Sequence, residues 1–174
     1  PVGKAFNGVE EYFHIQEISF KKKASWTVAI KIFELENNEM FNFFFGKRGI
    51  CSLSILRRNN MLEFKADDDS YVGGIEFLTQ RLNEIVVTYD NGTFIFYNNG
   101  NISKPIFHPS SARFDAIGSG YDGTKHEQTS IISHVLVFQR ALNIEEISQC
   151  FEKEFIDNTN GVMGNWDFTN ADGQ

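Results

Sequence analysis

Residues 83–100 read NEIVVTYDNGTFIFYNNG, from Asn83 to Gly100. Ile85, Val87 and Tyr89 alternate with Val86 and Thr88 until Asp90-Asn91-Gly92 stops the run. Phe94 and Phe96 alternate with Thr93, Ile95 and Tyr97 until Asn98-Asn99-Gly100 stops the second. A period of two sends alternate side chains to opposite faces of a sheet. Asn-Gly tolerates positive φ at both central positions of a tight type I′ turn. The stretch predicts a β-hairpin that runs directly into another.

Further strands are expected on both sides of it. In residues 26–33, Trp26, Val28, Ile30 and Ile32 share one face and Thr27, Ala29 and Lys31 the other. Shorter runs at 11–15, 40–45, 51–56, 61–65, 71–77 and 113–117 are separated by turn residues. Residues 130–138 are apolar on both faces, which predicts a strand in mid-sheet. One helix is expected near residues 143–155. Asn143 can cap it, Glu145 and Glu146 fall in its first turn, and Ile144, Ile147 and Phe151 recur at helical spacing. The pattern predicts an all-β fold, an antiparallel two-sheet jelly-roll sandwich with one short helix.

The composition fits that class. Eighteen Phe and 14% aromatic residues in a chain of 174 provide flat apolar area for the space between two sheets. The net charge of −7 argues against a nucleic-acid duplex or an anionic membrane surface as the main partner. No apolar run approaches the roughly 20 residues that span a bilayer, so membrane insertion is not expected. Cys51 and Cys150 are too few for a disulfide framework and are expected as buried thiols. The chain starts at Pro1, with no initiator Met and no signal peptide, and is expected to be a piece of a larger polypeptide or assembly.

Three segments together resemble the laminin-G-like, concanavalin-A-like jelly-roll superfamily. Gly3-Lys4-Ala5-Phe6-Asn7-Gly8 with Glu10-Glu11-Tyr12-Phe13 resembles its opening strand. The hairpin from Glu84 to Gly100 resembles its central one, with Asn99-Gly100 where Asp-Gly is usual. Residues 134–147, including Phe138-Gln139-Arg140-Ala141-Leu142, resemble its last long strand and short helix. The resemblance implies one domain over 1–157. Residues 158–174 contain GVMGNWDF (161–168), which resembles the family's first strand. That segment either starts a further module or supplies a closing strand.

The resemblance spans lectins, adhesion modules and glycanases, so function must be sought in particular side chains. Glycanases of this kind use two carboxylates on one strand face. The closest pairs, Glu34/Glu36 and Glu10/Glu11, fit solvated turns better, and no nucleophile elbow is present. The chain is therefore expected not to be an enzyme. Asp67-Asp68-Asp69 offers hard oxygens, and Asp67, Asp69 and Asp122 form a candidate Ca²⁺ site set against a plain acidic loop. Arg57 and Arg58 carry donors suited to a sugar carboxylate, or else guard a strand edge. Tyr121 and Asp122 project from the glycine-rich loop 118–123, and Tyr71 and His126 can join either set. His134 is expected as a packed structural residue. The expected function is a binding or adhesion module, for glycans, in a larger extracellular, cell-surface or virion protein. The alternatives are a protein-binding structural domain of a phage fibre or capsid, and an accessory domain of a glycoside hydrolase.

Overall fold

Both Asn-Gly pairs turn the backbone as their chemistry allows. In the computed structural model, Asn91 and Gly92 have φ of 44° and 104°, and Asn99 and Gly100 have 48° and 85°. Positive φ at both positions is the type I′ pattern and matches the twist of the flanking strands. The structure describes residues 3–6, 12–36, 41–56, 59–119 and 129–169; of these, 34–36, 41–43, 55–56 and 129 are described in their backbone only.

The first strands are β1 (Lys4–Phe6), β2 (Phe13–Phe20), β3 (Ser25–Glu36), β4 (Phe41–Lys47) and β5 (Cys51–Leu56). Next come β6 (Met61–Lys65), β7 (Tyr71–Glu76), β8 (Leu82–Asp90), β9 (Thr93–Asn98), β10 (Asn101–Ile102) and β11 (Ile106–Phe107). The chain continues through β12 (Ala112–Ile117), β13 (Thr129–Phe138), α1 (Ile144–Gln149), α2 (Lys153–Asn158) and β14 (Val162–Asp167). Among the described residues, one sheet has eight strands in the order β1-β13-β3-β8-β9-β10, with β11 on β9 and β14 on β13. The other has six, in the order β2-β12-β4-β5-β6-β7. The named strands pair antiparallel, so the all-β sandwich read from the alternation is the observed architecture.

The inner face of β3 carries Trp26, Val28, Ile30 and Ile32, all fully buried. Trp26 stacks on Tyr89 at 5.4 Å and meets Phe114 and Phe94 edge-on at 5.7 and 6.0 Å. Each such aromatic pair adds about 0.5–1.5 kcal/mol beyond the area it buries. Strand β13 lies in mid-sheet, as its two apolar faces require. Its one edge pairs with β3, and its other edge is shared by β1 at Ser130–Ile132 and β14 at His134–Phe138. The C-terminal segment thus adds to this sheet, against β13 rather than β2. Phe168 follows it into the core, edge-on to Phe6 and Phe13.

The expected helix is two helices. Cys150 and Phe151 interrupt it, and Glu152 has an extended backbone with ψ of 131° before α2 begins. The break turns Phe151 onto Lys31 and His134 while Phe155 reaches Phe138. Both helices cover the outer face of the eight-stranded sheet. There a second apolar cluster forms from Ala29, Val86, Leu136, Phe138, Leu142, Cys150 and Ile156. No described helix is long and apolar enough to cross a membrane.

Candidate functional site

The outward-facing residues of β3, β8, β9 and β13 fall into two rows. One row is apolar: Tyr97 opposes Val86, Val86 opposes Ala29, and Ala29 opposes Leu136. The next is polar: Glu84 opposes Lys31, Lys31 opposes His134, and His134 opposes Asp167. Helix α1 lies over part of this surface. Its start is fixed by a reciprocal cap, in which Glu146 N–H donates to Asn143 Oδ1 at 2.9 Å and Asn143 N–H donates to Glu146 Oε1 at 3.1 Å. Arg140 pairs with the same Glu146 at 2.6 Å, which holds that carboxyl below its ordinary pKa.

Between α1 and the two rows runs a groove of about 390 Å³. Val86 and Tyr97 form its floor, Ile147 and Phe151 one wall, and Ile102 and Ile144 the lips. Lys31, Glu84, Glu152 and the Asn99-Gly100 turn supply its polar lining. Lys31 Nζ lies 3.5 Å from Glu84 Oε1 and 4.9 Å from the Phe151 ring centroid. Tyr97 is half-buried; burial pushes its phenol pKa up, against a hydrogen bond with Thr88. Two aromatic rings, an ammonium and two carboxylates thus face one groove, of a size that holds a sugar or other small polar ligand.

His134 borders this surface as a packed residue. It is 9% exposed, its Nε2 lies 2.6 Å from Asn165 Oδ1, and its ring sits 5.8 Å from Phe151.

Of the side chains singled out in the sequence as candidate ligands, the described ones do not line this groove. Arg57, Arg58, Tyr121, Asp122 and His126 fall outside the described residues, as do the side chains of Glu34 and Glu36. Tyr71 is 40% exposed on β7, opposite Lys65. The three adjacent aspartates diverge. Asp67 Oδ2 accepts from Ser111 N–H at 3.0 Å and from its hydroxyl at 2.7 Å. Burial works to raise the Asp67 pKa, but these bonds outweigh it and hold the carboxyl below its ordinary value. Asp68 accepts from Ser70 N–H and lies 3.0 Å from His108 Nε2. Asp69, at a φ of 67°, pairs with Lys65 at 2.7 Å. Among the described residues, no three potential metal ligands converge.

No family model matches this chain, and no curated protein does. Solved structures do share its fold. A candidate carbohydrate binding protein from Bacteroides ovatus is similar over 95% of this chain and 51% of its own, with a TM-score of 0.69 and 19% identity. A mutant of Trypanosoma rangeli sialidase displaying trans-sialidase activity matches 92% of this chain and 29% of its own, at a TM-score of 0.60 and 17% identity. The same sialidase in complex with sialic acid gives a TM-score of 0.60 at 15% identity, with the same coverage. The chain therefore spans about half of the first and under a third of the sialidases. The expectation that it is not an enzyme is corrected here: its fold recurs within sialidases, so missing carboxylate motifs do not exclude catalysis. At these identities the shared property is the β-sandwich fold.

Proposed function

We propose that this chain is a carbohydrate-binding domain of a larger adhesive or glycan-processing protein at a cell or virion surface, of the laminin-G-like kind. The observation that carries this reading is the groove in which Tyr97 and Phe151 face Lys31, Glu84 and Glu152. Sugar rings have apolar C–H faces and a rim of hydroxyls, and aromatic rings beside charged acceptors and donors complement both. The sandwich shared with the Bacteroides ovatus protein supports the same reading. A glycan array tests it: the chain retains a defined set of glycans, and Tyr97→Ala loses them while keeping its β-sheet circular dichroism. An array without hits at high protein density would refute it.

A further inference from the structure

We infer that the groove selects neutral sugars and rejects those bearing a carboxylate; the inference rests on the carbohydrate-binding reading. Lys31 is the one cation among the described residues lining the groove, and two anions, Glu84 and Glu152, face it. The Lys31 ammonium is already committed, 3.5 Å from the Glu84 carboxylate and 4.9 Å from the centre of the Phe151 ring. An incoming sugar carboxylate would have to share Lys31 with Glu84 and sit beside both glutamates. Like charges facing one groove repel, and because the groove is open to solvent, salt screens part of that repulsion.

Recognition of a carboxylate favours the planar fork of a guanidinium. No described guanidinium lines this groove. Arg140, near the start of α1, is held by Glu146, by Thr159 Oγ1 at 2.5 Å and by the Asn160 carbonyl at 2.9 Å. A neutral sugar meets none of these penalties. Its hydroxyls donate to Glu84 and Glu152, as charge-assisted bonds, while its C–H face rests on Tyr97 or Phe151. The net charge of −7 adds a further bias against anionic ligands.

The test is calorimetric titration of this chain with matched oligosaccharides of one backbone, one neutral and one capped with sialic acid. The neutral sugar is chosen from those retained on the array. It should bind at least tenfold tighter than its capped form. In the double variant E84Q/E152Q that ratio should fall below threefold, because the repelling charges are gone while the shape is kept. Equal or tighter binding of the capped sugar, lost in Tyr97→Ala, would overturn the charge selection and leave the carbohydrate reading in place. A tenfold preference that E84Q/E152Q leaves unchanged would overturn the role of these glutamates. Failure of both sugars to bind would overturn the selection and the carbohydrate reading together.

Discussion

Lys31 reaches across the outer sheet face to Phe151, its ammonium 4.9 Å from the ring centre and 3.5 Å from Glu84. One long side chain thereby ties β3 to β8 and to the break between the two helices. The pair with Glu84 is partly exposed, so solvent and salt screen much of its Coulomb energy. The contact with the ring adds an attraction of about 0.5–1 kcal/mol. Lys31→Met, which keeps the apolar stem, should lower the unfolding free energy by about 1 kcal/mol. Urea denaturation at low and high salt measures this, and the difference should shrink at high salt.

A second link joins the start of β8 to the end of β9 in the same sheet. Asn98 Nδ2 donates to Asn83 Oδ1 at 2.7 Å, and both side chains are buried. Asn83 also holds Leu78 at both ends, accepting from its N–H and donating to its carbonyl, each at 2.8 Å. Asn83→Ala removes the partner of the part-buried Leu78 N–H and C=O and of one N–H of the Asn98 amide, whose Nδ2 keeps its bond to the Glu76 carbonyl. The cost should be about 2–4 kcal/mol, at roughly 1–3 kcal/mol for each buried group left unpaired. Asn99→Ala should cost less, because its bonds to Glu84 N–H and the Leu82 carbonyl are exposed to water. Equilibrium unfolding of the two variants tests that order.

The hairpin was readable because its rules are local. Alternation of Ile85, Val87 and Tyr89 with Val86 and Thr88, closed by Asn-Gly, specifies strand and turn within a few residues. The mid-sheet place of β13 was equally legible from its apolar faces. The break at Cys150 was not, because Ile147, Phe151 and Phe155 satisfy one continuous helical stripe, and the sheet beneath decides where the helix must open. The groove was harder still. Lys31, Glu84, Tyr97 and Phe151 come from four separate segments, and only strand register and the break between α1 and α2 set them together. The usable signal was that Lys31, Glu84 and Tyr97 occupy the alternate face of strands whose other face is core. The Asp67–Asp69 run stands out by density, and its members bond Ser111, Ser70 with His108, and Lys65, partners that no local rule announces.

Acid should weaken a charge cluster on the six-stranded sheet. Glu17 accepts from Lys47 and Arg113, and these partners lower its pKa from the ordinary 4.5 to about 2. The folded state favours the carboxylate, so Glu17 stabilises the fold fully above pH 4.5. That contribution fades as pH falls toward about 2. Glu17→Gln should melt slightly below the parent chain at neutral pH, and the two melting temperatures should converge by pH 2. A gap that persists at pH 2 would contradict the assignment.

Both thiols should be silent in the native state. Burial pushes the Cys150 pKa up to about 12, and it raises that of Cys51, whose Sγ lies 3.1 Å from Arg113 N and O. The thiolate is the reactive form, so a chromogenic disulfide reagent should find almost no thiol until denaturant is added. It should then find two. Rapid native reaction of Cys150 would mean that α1 does not cover the sheet as described.

The central claim is that sugar binds between α1 and the outer sheet face. The direct test is a titration of isotope-labelled chain with a neutral oligosaccharide retained on the array, followed by amide and aromatic resonances. The account predicts saturable shifts at Lys31, Glu84, Tyr97, Gly100 and Phe151, all abolished by Tyr97→Ala. Saturable shifts confined to the six-stranded sheet or its loops, with these five residues unmoved, would contradict it.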